Sequence, residues 1–351
     1  MQIGEDMQYL LLTIAIAFGG GYILHRFRVP GGMMLGSVIA VALLNINTTI
    51  VEIPGSFRFA AQCIAGAYIG MTVQKEDLKR LKHFIRPTAT LLFGLFVTNL
   101  IVGFIIYFIS PMDLLTSCLS AIPGGISDTP LIAADMGADA TKVTVLQFVR
   151  LVSGIAVVPL LVGKKELENE SVEKSVSLVE KRRPTFSRNL FIAVAVAFAS
   201  GYLGKLAGVA AGTLLFAMIS IVMLKITGFE VTFPIWFKRM AQLFSGAYIG
   251  SHFGYQDVIE LKFLLLPAAV IVVINILACY IMGNTLSRLY GIPRSQAILS
   301  SSPAGASDMA LIASDIGVSG SDVAMIQIFR LVGAVALFPQ IFLLISKLVA
   351  S

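Results

Sequence analysis

Apolar residues in this chain run on for whole stretches, without the polar alternation of a half-buried strand or the single apolar stripe of a surface helix. Residues 7–24, 87–110 and 263–287 contain no charged side chain. A bilayer core about 30 Å thick is crossed by about 20 apolar residues in a helix, so these stretches predict membrane spans. In the first half the apolar segments fall at 7–24, 31–47, 57–73, 87–110 and 141–162, with an interrupted segment at 113–136. The interruption is Pro123-Gly124-Gly125, which cannot continue a helix cheaply. Ser127, Asp128 and Thr129 then offer N-cap oxygens, and Pro130 suits a first turn. A second half-helix is therefore predicted to start there, at membrane depth.

The pattern repeats at an offset of 180 residues. Pro123-Gly124-Gly125-Ile126-Ser127-Asp128 returns as Pro303-Ala304-Gly305-Ala306-Ser307-Asp308, and Gln147-x-x-Arg150-Leu-Val returns as Gln327-x-x-Arg330-Leu-Val. Gln62 and the run Gly66-Ala67-Tyr68-Ile69-Gly70 return as Gln242 and Gly246-Ala247-Tyr248-Ile249-Gly250. Pro54, Pro87 and Pro159 land on Pro234, Pro267 and Pro339. The chain divides into a first membrane repeat at 1–162, a charged linker at 163–189 and a second membrane repeat at 190–351.

Loop charges orient the halves. Before the fourth segment, Lys75, Lys79, Arg80, Lys82 and Arg86 outweigh Glu76 and Asp77; the counterpart loop has Asp257, Glu260 and Lys262. After the fourth segment the bias reverses, with Asp113 in the first half and Arg288 and Arg294 in the second. Basic loops face the cytoplasm, so the repeats are expected to have inverted topology. Inversion needs an odd number of crossings per half. The expected fold class is an all-α polytopic membrane protein with about ten net crossings and two broken or re-entrant segments.

Composition adds exclusions. With 57% hydrophobic and 13% charged residues, against about 25% charged in globular chains, this is no soluble domain. The net charge of +6 sits in loops beside spans and gives no sign of a nucleic-acid partner. Glu5 and Asp6 stand where a signal peptide has basic residues, so 7–24 reads as a retained helix. Cys63, Cys118 and Cys279 lie in apolar segments and do not recur between halves, which supports neither disulfide nor metal. His25, His83 and His252 are scattered, and no nucleophile elbow or H-E-x-x-H run is present, so no enzyme and no cofactor are expected.

Carboxylates and guanidiniums within spans are costly and mark sites by default. Asp128 and Asp308, with the Ser127 and Ser307 hydroxyls and the freed backbone at Gly125 and Gly305, are candidates for binding a proton, a small cation or a substrate; simple capping of the half-helix is the alternative. Arg150 and Arg330 either pair with Asp128, Asp135, Asp308 or Asp315, or form a cationic wall for an anion. Gln147 and Gln327, three residues earlier on the same helical face, share whatever site the arginines line. Asp135 and Asp315 read as interfacial caps, and the small-residue runs after Gln62 and Gln242 as close helix contacts.

On these motifs the chain resembles the membrane AbrB family, the AbrB-duplication proteins, across everything but the linker. That resemblance implies a bacterial inner-membrane protein. More remotely the pattern is similar to the cation:proton antiporter and anion transporter superfamily, whose inverted repeats carry crossed, broken helices. The helix after the break has Gln147 and Arg150 in place of the Asp-Asp pair of a sodium/proton exchanger, and the ammonia monooxygenase label some members carry finds no copper-ligand cluster. The expected function is secondary active transport of a small solute, an organic anion among the candidates, by alternating access with proton rather than sodium coupling. A homodimer is expected by analogy. The rival readings are a membrane-embedded regulatory protein acting through partner binding and an intramembrane enzyme.

Overall fold

The computed structural model describes residues 2–48, 53–73, 75–162, 188–229, 232–305, 309, 312–313 and 318–350, and every regular element in them is helical. In chain order these are α1 (Gln2–Arg26), α2 (Gly32–Thr48), α3 (Gly55–Thr72), α4 (Lys75–Ile109), α5 (Leu114–Ala121), α6 (Asp128–Asp135) and α7 (Ala140–Leu161). The second half supplies α8 (Arg188–Leu206), α9 (Gly212–Ile226), α10 (Ile235–Ser251), the short α11 (Tyr255–Glu260), α12 (Leu265–Tyr290), α13 (Arg294–Ser301) and α14 (Gly320–Ala350). Six helical stretches among the described residues, on α1, α4, α7, α8, α11–α12 and α14, are long and apolar enough to cross a membrane, and this is a multi-pass membrane protein. The linker falls mostly outside the described residues; α8 begins at its end.

One boundary differs from expectation. The charged stretch 75–86 is helix, the first three turns of α4, and Pro87 lies inside that helix rather than at its start. Lys, Leu, Glu and Arg are strong helix formers, and a helix need not stop where the apolar run begins. Hydropathy marks the span, not the helix.

Compact units do not follow the sequence repeats. The first unit comprises Met1–Thr72, Ile126–Val145 and Pro184–Leu264; the second comprises Val73–Gly125, Leu146–Arg183 and Leu265–Ser351. Each therefore draws on both halves of the chain. In the first unit, Arg58 lies over the Tyr248 ring at 5.4 Å and Lys238 lies over the Tyr68 ring at 5.6 Å. These four residues pair the start of α3 with the end of α10 and the reverse, so the counterpart helices α3 and α10 run antiparallel.

Each of the two also borrows a neighbour from the other half. A Cβ on Gly246 of α10 would fall 2.6 Å from the Met34 carbonyl of α2, and one on Gly66 of α3 would strike the Leu214 carbonyl of α9. One turn on, Gly250 meets Val38 and Gly70 meets Met218 in the same way. These pairs are equivalent under the 180-residue offset. Only glycine lets backbones come this close.

In the second unit α4 and its counterpart α12 are also antiparallel. Thr90 bonds Tyr290 through their hydroxyls at 2.6 Å, while Gly94, one turn later, abuts Met282, two turns earlier. Each of these helices holds the half-helix that follows it. Gly103 of α4 abuts Cys118 of α5, and Gly283 of α12 abuts Ile298 of α13.

Candidate functional site: two capped helix breaks and a buried half-helix

The half-helix α5 opens on Asp113, whose carboxylate accepts from the Thr116 amide at 2.9 Å and from its hydroxyl, and it ends at Ala121. Beyond it Pro123 can donate no backbone hydrogen, and Ile122 takes extended dihedrals. A helix end leaves its last carbonyls without partners and carries partial negative charge. Two side chains of α7 meet that need. Gln147 Nε2 donates to the carbonyls of Leu119 (3.1 Å), Ser120 (3.2 Å) and Ile122 (3.0 Å). Arg150 donates through Nη1 to Ile122 and through Nη2 to Gly124 at 2.7 Å.

The second break is built the same way, residue for residue. Gln327 Nε2 donates to Leu299 at 2.7 Å. Arg330 donates to the carbonyls of Ser302 and, at 3.2 Å, Ala304, and to Gln327 Oε1 at 3.3 Å. The recurrence of Gln-x-x-Arg in sequence thus has a definite physical content. A glutamine and an arginine one helical turn apart staple the carbonyl end of the preceding half-helix. The ion pairs expected of these arginines with Asp128 or Asp135 are not made; among the described residues no carboxylate approaches either guanidinium.

Both arginines are almost wholly enclosed, at 2% exposure for Arg150 and 4% for Arg330. Each has spent its two terminal nitrogens on carbonyls, and each Nε is buried without a partner, as is Gln147 Oε1. The two guanidiniums cap breaks that lie side by side. Contact at the backbone agrees: a Cβ on Gly154, one turn after Arg150, would stand 3.2 Å from Pro303 and 3.3 Å from Ala304 of the second break. The two breaks therefore come together within this unit.

The first unit holds the other part of the motif. Here α6 starts at Asp128, with Ser127 in helical dihedrals at the cap and its hydroxyl making no capping bond. The expected side-chain cap is absent because an N-cap hydroxyl needs extended backbone to turn back onto the helix. Asp128 is buried, and Lys238 of α10 is the cation near enough to act on it electrostatically. Ser245 reaches the Ser127 carbonyl at 3.4 Å and Gln62 the Leu131 carbonyl at 3.2 Å. At the far end Arg58 donates to the Ala134 carbonyl at 2.8 Å and to Tyr248 at 3.3 Å, and stands 3.7 Å from Asp135. So Asp135 does pair with an arginine, but with Arg58. Ser307, Asp308 and Asp315 lie outside the described residues; Gly305 closes the described part of the second break.

A family model for the transition state regulatory protein AbrB matches the chain twice, over residues 1–166 and 163–346. The chain belongs to the AbrB family. The junction of the two matches falls at the start of the charged linker, so the family unit is one sequence repeat. Among relatives, the Escherichia coli (strain K12) protein named "Putative regulator AbrB" is 28% identical over 96% of this chain and 96% of its own length. The Bacillus subtilis (strain 168) protein YhjN is 24% identical over 99% and 96%.

This AbrB-family chain also carries site residues that motif reading passed over. Arg58 and Lys238 occupy one repeat position, as do Tyr68 and Tyr248, so the offset alone flags a basic residue and an aromatic one in each half. Asn99 gave no such signal. It is fully buried on α4 with both its amide nitrogen and oxygen unpartnered, and its counterpart is Cys279.

Proposed function

We propose that this chain is a secondary active transporter of a small solute, working by alternating access and coupled to proton movement. The observation that carries the reading is the pair of capped breaks held together in one unit, each half of the chain contributing one. Broken helices at a repeat interface are where many secondary transporters place substrate and coupling ion. Antiparallel counterparts, α3 with α10 and α4 with α12, support two repeats inserted in opposite senses. Ten crossings then follow if the shorter α2, α3, α9 and α10 cross with the six long spans. Asp128, a buried carboxylate at the start of a half-helix, is the proposed proton carrier. We place the protein in the bacterial inner membrane, as a homodimer by analogy.

Purified protein in vesicles loaded with a pH-sensitive dye tests this. A panel of small carboxylates, amino acids and inorganic cations is added outside, and at least one is expected to drive a change in internal pH. Asp128→Asn is expected to abolish that change while keeping its elution profile and thermal midpoint. A variant that still moves protons with the solute removes Asp128 from the mechanism.

The name of the Escherichia coli relative favours a second reading, a membrane protein that regulates through a bound partner. It predicts that Asp128→Asn leaves any regulatory phenotype intact, whereas regulation secondary to transport is lost with it.

A further inference from the structure

Arg150 and Arg330 present an imbalance that capping does not remove. Carbonyl dipoles at each break offset part of the charge on each guanidinium, but a net positive charge remains on both, each buried and each on a break that meets the other where Gly154 abuts Pro303 and Ala304. Removing a charge from water costs several kcal/mol even after relaxation, and like charges in a low-dielectric interior repel strongly. Charged groups inside a membrane protein pair or face a polar cavity. Neither guanidinium has a carboxylate among the described residues. What each has left is one Nε–H, enclosed and without an acceptor.

Two further unpartnered polar side chains lie on α4 and α5. Asn99 lies one turn before Gly103, the residue of α4 that abuts Cys118, so by helical periodicity it faces α5. Next to Cys118 on α5, the Ser117 hydroxyl is also buried and unpartnered.

Resting on the transporter reading above, we propose that Arg150 and Arg330 together bind one small oxyanion, a carboxylate or a sulfate- or phosphate-like group, between the two breaks, and that this anion is the transported solute. The anion accepts from both Nε–H groups and relieves the repulsion between the two cations. The cation–carbonyl caps fix the heads in place, so binding costs little reorganisation. Because each sequence half supplies one arginine and one break, neither half alone forms the site.

Thermal unfolding of the full-length protein in detergent tests the site, with sodium acetate, succinate, sulfate or phosphate compared against sodium chloride at matched ionic strength. At least one of the four is expected to raise the midpoint of wild type by about 2 °C or more. That rise is expected to vanish in Arg150→Gln and in Arg330→Gln and to persist in Arg294→Gln, which removes an exposed charge outside the site. If the glutamine variants fail to fold, Arg150→Lys and Arg330→Lys keep the charge, lose the Nε–H, and are expected to lose the rise. No stabilisation of wild type by any of the four, or stabilisation that survives both substitutions, overturns the site. Flux in vesicles separates this from the broader reading. An anion that stabilises but is never carried overturns its being the solute and leaves the binding site standing; a carried solute with no anion effect overturns the site and leaves the transporter reading standing.

Discussion

Three arginines at half-helix ends in this protein do the same thing: they sit on carbonyls. Arg150 and Arg330 do so at the breaks and Arg58 does so at the end of α6. Orphan carbonyls at a helix end are expensive where water is scarce, and a guanidinium, with its fork of donors, satisfies two at once. For Arg58 the carbonyl and Tyr248 bonds outweigh the ion pair, since Asp135 is 3.7 Å away and both side chains are a quarter exposed; exposed pairs contribute little. Arg58→Ala is expected to destabilise by about 1–2 kcal/mol, and Asp135→Asn by less than half of that, both read from thermal unfolding in detergent. Equal losses would make the ion pair, not the cap, the main contact.

At the scale of elements, the small-residue runs decide which helices meet. Gly66 and Gly246 approach the carbonyls of α9 and α2 too closely for any side chain. Adding a methyl group must push two helices apart, and overpacking of this kind costs about 1–3 kcal/mol. Gly66→Ala and Gly246→Ala are expected to lower the unfolding midpoint by similar amounts, because the two contacts are equivalent under the repeat. Gly19→Ala is the control: nothing lies within 4 Å of its added carbon, and alanine is the better helix former, so its midpoint is expected to hold or rise. A Gly66→Ala protein as stable as wild type would show that α3 and α9 do not touch as described.

For the whole molecule the consequence of antiparallel counterparts is topological. Residues 180 apart should face opposite sides of the membrane. Arg26 and Leu206 end α1 and α8, are exposed, and occupy the same repeat position. The native Cys63, Cys118 and Cys279 are buried and give a low labelling background. Arg26→Cys and Leu206→Cys are therefore expected to react with a membrane-impermeant thiol reagent from opposite sides, one in right-side-out vesicles and the other in inside-out vesicles. Labelling of both from one side would mean parallel repeats, and the proposed mechanism would lose its symmetry.

Much of this was legible in the chain. Uninterrupted apolar runs fix where spans lie, because a bilayer rewards length and apolarity alone. Pro123-Gly124-Gly125 fixes the break, because no helix continues cheaply through it, and the 180-residue offset fixes the repeat. The extent of α4 was not legible, since charged helix formers continue a helix past the apolar boundary. Nor were the partners of Arg150 and Arg330. A buried arginine can donate to a carboxylate or to a helix end, and Asp128 and Asp135, the aspartates expected for Arg150, are not the groups it meets. Sequence determined which residues would be costly to bury. Tertiary structure alone decided how each cost is met, because backbone carbonyls, the partners chosen here, look the same in every residue.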